Sequence, residues 1–172
     1  LLHGSPGSSG DLRALAAALP RDRRILVPDL PGFGASSRRL PDHSILTHAR
    51  TLLAWLDRLG ISRVDVVAIS QGGGVAIHLT GLAPERVRSL TLLSAIGVQE
   101  LELLGDYSLN HALHRVQQGL VWGLQNLVPH FGAIDRSPLD LGFARNFSDS
   151  DQRPLRGLLE RWNGPTLIVH GR

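Results

Sequence analysis

The sequence predicts an α/β fold in which a parallel sheet carries helices on both faces. Short apolar runs alternate with longer runs of helical period, and this alternation is typical of parallel α/β sheets. The chain has 172 residues, which is the length of one domain. No apolar run approaches about 18 residues, so the sequence contains no predicted membrane span.

The predicted elements alternate regularly up to residue 93. In chain order they are a strand tail at 1–2, a helix at 11–19, a strand at 24–27, a helix at 42–59, a strand at 64–69, a helix at 71–82 and a strand at 87–93. Pro20, Gly60 and Pro84 follow the three helices, and these are the residue types that end helices. The run at 64–69 is almost wholly apolar, as a strand that is buried on both faces requires.

A long segment without strand signals interrupts this alternation after residue 97. It contains two predicted helices, at 109–127 and at 148–162, and Ser148 is the predicted N-cap of the second. An apolar strand at 166–170 then returns to the sheet. Because connections within a domain are rarely this long, we interpret 98–163 as a helical cap or lid, inserted between a core at 1–97 and a returning core strand at 164–172.

The composition excludes several classes of function. The chain has no cysteine, so it holds no disulfide, no thiolate metal site and no cysteine nucleophile. All 18 basic residues are arginines, but they are scattered along the chain, whereas a nucleic-acid-binding protein concentrates its basic residues on one surface. His111 and His114 share a helix face but have no obvious third ligand, so we predict no metal site. We expect no nucleic-acid partner and a cytoplasmic location.

The most informative motif lies where the strand at 64–69 meets the helix at 71–82. Ser70 occupies the junction, with Ala68 two residues before it and Gly72 two residues after it. So sharp a turn strains its central residue and needs small residues at both flanking positions; the usual first residue is glycine, and here it is Ala68. The turn would raise the Ser70 hydroxyl above the strand ends and direct the Gln71 amide toward an oxyanion. Ser70 is therefore a predicted nucleophile; the alternative is a packing turn in which Ser70 only caps the helix.

Two further loops accompany this turn. The run His3-Gly4-Ser5-Pro6-Gly7 follows the first strand tail, and its glycines permit a close approach through which the Ser5 amide can supply a second oxyanion donor. A plain Gly/Pro turn is the alternative. The segment at 29–36 is expected to be structural, with Asp29 and Ser36 bonded to backbone groups.

In this order and at these spacings, the three motifs resemble those of the α/β-hydrolase fold superfamily, in its serine-hydrolase branch. The resemblance is carried by 3–7, by 29–36 and by 68–72, and it returns at 165–172. It implies that Ser70 is the nucleophile, that the amides of Ser5 and Gln71 form the oxyanion hole, and that the insertion is a cap domain above the site. Serine at position 70 argues against the dehalogenase and epoxide-hydrolase branches, which use aspartate there.

The resemblance also indicates catalytic groups that the sequence does not contain. The family's acid would fall two positions beyond Arg172, and its histidine would follow later still. We therefore expect the sequence to be a piece of a longer hydrolase, cut at both ends, and expect the piece itself to be nearly inactive, because a serine without a base is a weak nucleophile. Glu100 and Glu102 are weaker candidates for the acid.

The activity that the resemblance implies is hydrolysis of a small or medium acyl compound, first of all a carboxylic ester. No metal or organic cofactor is implied, and the oligomeric state is not indicated. Trp122, Phe131 and Phe143 are candidate residues of the substrate pocket, or alternatively core residues of the cap. Carbon–carbon bonds, thioesters, lactones and amides remain open as scissile bonds.

Two hypotheses from other classes compete with this one. The first is a non-catalytic domain of the same fold that binds a ligand or a partner. The second is a nucleotide-binding domain, which three successive glycines after a strand suggest, but the sequence lacks both G-x-G-x-x-G and a G-K-[ST] step.

Overall fold

A parallel sheet forms the centre of the structure. In the computed structural model, which describes residues 1–97, 106–127 and 141–171, the sheet consists of β1 (Val64–Ile69), β2 (Val87–Leu93) and β3 (Thr166–Val169), in that order. Leu2 pairs in parallel with Ala68, on the edge of β1 that β2 leaves free. The carboxyl ends of these segments therefore lie on one side of the sheet, where parallel α/β sheets bind ligands.

Six helices surround or extend this sheet within the described ranges: α1 (Arg13–Ala18), α2 (Ile45–Arg58), α3 (Gln71–Leu82), α4 (Tyr107–Leu127), α5 (Leu141–Asp149) and α6 (Arg153–Arg161). Two short 3-10 segments, Ser9–Leu12 and Pro84–Arg86, precede α1 and β2. α3 packs on β1 and β2, and α2 and α6 each pack against α3. α4 packs against α5.

α3 is the helix at the centre of the packing. Every residue from Gln71 to Thr80 is buried, which explains why this helix has no polar face. Its apolar side chains join one core cluster with residues of β1, β2, α2 and α6, among them Val66, Leu92, Leu52 and Leu155. The turn at Ser70 is therefore followed by a buried helix that packs on β1, β2, α2 and α6.

The predicted bounds of β1, α3 and β2 are confirmed residue for residue. The helix predicted at 42–59 begins at Ile45, because the Ser44 hydroxyl caps it by accepting the Thr47 N–H at 3.2 Å. The strand predicted at 24–27 is wrong as a regular strand: this segment forms no ladder, although the terminal amine of Leu1 donates to the Leu26 carbonyl at 2.6 Å.

The single helix predicted at 148–162 is also wrong. α5 ends at Asp149 and α6 begins at Arg153, so Ser148 lies within α5 and caps nothing. The break has a local cause and a distant one. The Asp151 carboxylate accepts the Arg153 N–H at 3.0 Å, which starts a new helix, and the Ser150 hydroxyl accepts the Ile45 N–H at 3.1 Å.

Side chains of α5 and of the residue after it hold the main chain that leads into α2. We call these four side chains the α5 clasp. Arg145 donates to the carbonyls of Leu40 and Pro41, Asn146 donates to the His43 carbonyl at 2.6 Å, Asp149 accepts the His43 N–H at 2.9 Å, and Ser150 accepts the Ile45 N–H. The α5 clasp thus joins the predicted insertion to the core.

His43, just before α2, and His48, in its first turn, do not face the solvent: both are buried, with 1% and 0% of their surface exposed. The α5 clasp covers the segment that contains His43, and Phe33 packs edge-on against His48, with ring centroids 6.1 Å apart. These rings are part of the core rather than of the solvent-facing side of α2.

The division into a core, a cap and a returning strand stays a prediction. α6, which falls within the predicted insertion, contributes the fully buried Leu155 to the core cluster.

Glu100, Glu102 and Phe131 lie outside the described residues. Over the ranges that are described, no helix combines the length and the apolarity that crossing a membrane requires.

Replacing Asn146 with alanine is expected to destabilise the chain by about 2 kcal/mol, because the buried His43 carbonyl loses its donor from the α5 clasp. The free energy of unfolding in urea measures this loss. The matched control is Asn163→Ala at an exposed position, where little change is expected. Equal stability of the two variants would contradict the contribution assigned to the α5 clasp.

Candidate active site

The backbone of Ser70 is strained in the way that its motif predicts. Its φ of 52° and ψ of −122° lie outside the regions that residues with a side chain ordinarily adopt, and such a conformation costs on the order of 1–3 kcal/mol. Three main-chain hydrogen bonds hold it in place. The Ser70 N–H donates to the Leu93 carbonyl at 3.2 Å, and the Ser70 carbonyl accepts from Gly73 at 3.0 Å and from Ile96 at 3.1 Å.

The small residues around Ser70 are required by close contacts between main chains. A Cβ on Gly72 would stand 2.6 Å from the His3 carbonyl oxygen and 2.8 Å from that of Leu2. The methyl of Ala68, by contrast, is accommodated in the core with no exposed surface. Alanine therefore fits the position two residues before the serine, whereas the position two residues after it requires glycine.

The loop at 3–7 lies directly against the Ser70 side chain. A Cβ on Gly4 would stand 2.9 Å from the Ser70 Cβ and 3.4 Å from its Oγ. Ser70 itself is half-buried, so its hydroxyl is not enclosed by the core. Ser5 follows Gly4 and Gln71 follows Ser70, so the two residues that the sequence names for the oxyanion hole come from two different segments.

The segment at 29–36 has the structural role that the sequence predicts. The Asp29 carboxylate accepts the Ser9 N–H at 2.5 Å and the Ala35 N–H at 2.8 Å, and the Ser36 hydroxyl donates to the Asp29 carbonyl at 2.7 Å. Burial raises the pKa of Asp29, but the amides of Ala35 and Ser9 outweigh it and hold that pKa below its ordinary value. Asp29 is therefore an ionised clamp between loops.

Two polar side chains beside the serine have unused hydrogen-bonding capacity. Gln71 is 2% exposed, and neither its Oε1 nor its Nε2 has a partner among the described residues; the buried Ser5 Oγ has none there either. A buried polar group without a partner costs on the order of 1–3 kcal/mol. Ser5 and Gln71 therefore carry buried polar atoms that the described residues leave unsatisfied.

The structure adds two residues that the motifs did not single out. Ser94, at the carboxyl end of β2, has a φ of 44° and donates its N–H to the Val169 carbonyl at 2.8 Å. The sequence carries no glycine or asparagine there to indicate a left-handed conformation. The second is His3, which sequence reasoning placed in the loop without giving its side chain a task.

Over residues 1–97, 106–127 and 141–171, no side chain hydrogen-bonds to the Ser70 Oγ. His111 stacks on Tyr107 and His114 packs on Phe147, with ring centroids 4.4 Å and 5.2 Å apart. No group of three or more potential ligands for a metal ion occurs within the same ranges.

The described pocket candidates lie in the predicted cap. Phe143 packs on Phe147 with ring centroids 4.7 Å apart, and Trp122 is 59% exposed on α4. Their role in a substrate pocket stays a prediction. A cavity of about 660 Å³ is lined instead by Leu26, Trp55 and the amino-terminal halves of β1 and β2, so it lies away from Ser70.

A parallel α/β sheet with a strained serine turn at the carboxyl end of a strand such as β1 is typical of the α/β-hydrolase class. The family model described as the alpha/beta hydrolase fold matches residues 1–140. The chain therefore belongs to the α/β-hydrolase fold family, as the sequence motifs indicate.

Hydrolases stand among the similar proteins. The chain is 40% identical over 103 residues to 2-hydroxymuconate semialdehyde hydrolase of Pseudomonas putida, covering 57% of this chain and 36% of that one. It is 30% identical over 201 aligned positions to the enzyme of the same name from Pseudomonas sp. strain CF600, covering 100% and 68%. The solved 2-hydroxy-6-oxo-6-phenylhexa-2,4-dienoate hydrolase of Rhodococcus sp. strain RHA1 superposes with a TM-score of 0.67 at 20% identity, covering 99% and 71%.

The extent of these matches differs between relatives. The chain covers 27%, 36% and 49% of the lengths of three curated relatives. The chain thus spans between about a quarter and a half of these three relatives.

Proposed function

We propose that this chain carries the nucleophile and the oxyanion hole of a serine hydrolase that cleaves small or medium acyl compounds, first of all carboxylic esters. One observation carries the proposal: the Ser70 backbone is held in a strained conformation, at the carboxyl end of β1, with the Gly4 main chain against its side chain. Strain of this kind persists where the surrounding structure enforces it, and it concentrates at reactive sites.

The chemistry follows from this placement. The Ser70 Oγ attacks the acyl carbon while a histidine base takes its proton, and the carbonyl oxygen becomes an oxyanion that accepts the N–H groups of Ser5 and Gln71. The same histidine then gives the proton to the leaving alcohol, and water releases the acid from the acyl-enzyme. We propose that the histidine and its acid partner belong to sequence beyond these 172 residues. Loss of one oxyanion donor typically lowers kcat by about 10²–10³.

A second scissile bond is favoured by the names of the relatives. They are hydrolases of 2-hydroxymuconate semialdehyde and of a 2-hydroxy-6-oxo dienoate, names that contain no ester. The alternative for this chain is therefore hydrolysis of a carbon–carbon bond next to a carbonyl group, in an oxygenated unsaturated acid. Comparing kcat/KM for p-nitrophenyl acetate and for such a dienoate separates the two substrate classes.

Labelling with a fluorophosphonate probe tests the nucleophile. In a longer protein that supplies the acid and the base, the probe is expected to label the wild type and Ser94→Ala, and not Ser70→Ala. Ser94 is the matched control because it also has a positive φ at a strand end. Labelling that survives Ser70→Ala would contradict the assignment. A folded wild-type protein that resists the probe would favour the non-catalytic binding domain.

A further inference from the structure

The ring of His3 is tied to the main chain through both of its nitrogens. The Leu30 N–H donates to Nε2 at 2.9 Å, and Nδ1 lies 2.7 Å from the Gly4 carbonyl oxygen. An amide N–H only donates and a carbonyl only accepts, so Nε2 must carry the lone pair and Nδ1 the proton. The imidazole, which has no exposed surface, is therefore neutral and in a single tautomer.

This ring joins the two loops that the motifs singled out. Its Nδ1 side binds the Gly4–Ser5 peptide, and its Nε2 side binds the segment that Asp29 clamps. Phe33 packs edge-on against the ring, with centroids 5.7 Å apart, so the ring has little freedom to turn. Because Gly4 lies against Ser70, the position of the ring sets how close the Ser5 amide stands to the nucleophile.

We propose that His3 is a positioning residue: its neutral Nδ1–H tautomer holds the Gly4–Ser5 peptide in place beside Ser70, and protonation of Nε2 breaks the bond to Leu30, so that the ring and the peptide bound to it lose their attachment to the segment at 29–36. A proton on Nε2 would point at the Leu30 N–H, so one of the two groups must move. This inference rests on the proposed function, because it assigns the Ser5 amide to the oxyanion.

The charged groups around the ring act in opposite directions. Burial lowers the pKa of His3, while the bond to Gly4 and the carboxylates of Asp29 and Asp11 raise it, and the net pKa lies below the ordinary value of 6.5. His48 faces the ring from α2 across Phe33, and the His3 ring contributes to lowering the pKa of His48. The ring is thus neutral at pH 7 and gains a proton only in more acidic solution.

The tautomer can be tested without any activity. In a long-range ¹H–¹⁵N correlation spectrum of the full-length protein, the His3 signals are identified by their loss in His3→Gln. We expect the Nδ1–H pattern at pH 7, and protonation together with a shift of the Leu30 amide as the pH falls. An Nε2–H pattern at pH 7, or a Leu30 amide that does not respond to protonation, would overturn the proposal.

Kinetics test the positioning itself. His3→Leu removes both bonds and is expected to lower kcat about tenfold or more with KM within about twofold, because an oxyanion donor acts in the transition state. His3→Gln retains an acceptor for the Leu30 N–H and does not titrate. We expect the ratio of the His3→Gln kcat to the wild-type kcat to rise as the pH is lowered from 7 to 5. Because both enzymes share the same catalytic base, the titration of that base cancels in the ratio.

The outcomes separate this inference from the proposed function. A constant ratio, or a His3→Leu enzyme with unchanged kcat, overturns the positioning role while probe labelling of Ser70 still stands. Labelling that survives Ser70→Ala overturns the proposed function and leaves the tautomer result intact. If His3→Leu does not fold, the ratio for His3→Gln still decides the question.

Discussion

Replacing Gly72 with alanine is expected to destabilise the chain by about 3 kcal/mol, and to abolish probe labelling of Ser70 in the longer protein. The added methyl would stand 2.6 Å and 2.8 Å from two carbonyl oxygens of the main chain. Those groups cannot turn aside as a flexible side chain does, so the segment at 2–3 must move away from α3. Forcing extra volume into a packed site typically costs about 1–3 kcal/mol, and here the displaced atoms are backbone.

The displaced segment explains why stability and reactivity should fall together. Leu2 donates to the Val67 carbonyl at 2.9 Å and accepts the Ile69 N–H at 3.0 Å, and the Gly4 main chain touches Ser70. Unfolding in urea measures the first loss and fluorophosphonate labelling the second. The matched control is Gly119→Ala in α4, where no atom lies within 4 Å of the new methyl; it is expected to stabilise the chain by about 0.5–1 kcal/mol. A Gly72→Ala chain as stable as the wild type would refute this account of the turn.

Lowering the pH from 7 to 4 is expected to destabilise the chain by about 3 kcal/mol through His48 alone. Burial, reinforced by the neighbouring His43, lowers the pKa of His48 from 6.5 to about 4 in the folded state. Between these two pKa values His48 is protonated in the unfolded chain but neutral in the folded chain, so the free energy of unfolding decreases as the pH is lowered. The contribution is complete above pH 6.5 and is lost as the pH falls toward 4; each pKa unit corresponds to about 1.4 kcal/mol.

A variant isolates this contribution from that of other groups. The pKa values of His3, His43 and His78 are also lowered by burial, so they add to the loss in the wild type. His48→Leu is expected to shrink the difference in unfolding free energy between pH 7 and pH 4 by about 3 kcal/mol. His170→Gln, at an exposed position, is the matched control and should keep the wild-type difference. The same pH dependence in both variants would show that His48 does not carry the effect.

Local sequence sufficed for the elements whose ends are set by neighbouring residues. β1, α3 and β2 have the predicted bounds, because a strand of apolar residues, a sharp serine turn and a proline stop mark them in the sequence itself. It failed between α5 and α6, where the Ser150 hydroxyl bonds to an amide 105 residues away, and no local pattern reveals such a contact. The burial of His43 likewise depends on distant residues, because Asn146 and Asp149 of α5 bind its main chain.

Some features of the candidate site could likewise be predicted from local sequence, and others could not. The strain at Ser70 and the need for Gly72 follow from the spacing of small residues around one turn, and the structure contains both. The two bonds of the His3 ring do not follow from any spacing, because one of their partners lies 27 residues away in another loop. The pairing of a buried imidazole with two peptide groups becomes visible only when the fold brings those loops together.

The hydrogen bonds of the α5 clasp to residues 40–45 all go to main-chain groups. Its four residues bind carbonyls and amides between positions 40 and 45, and every residue type supplies the carbonyls. Natural variants should therefore substitute many residue types at positions 40–45, as far as burial permits, while the four residues of the α5 clasp change rarely. A helical segment attached in this manner can be exchanged for another through evolution without a matching change in the partner it is fastened to.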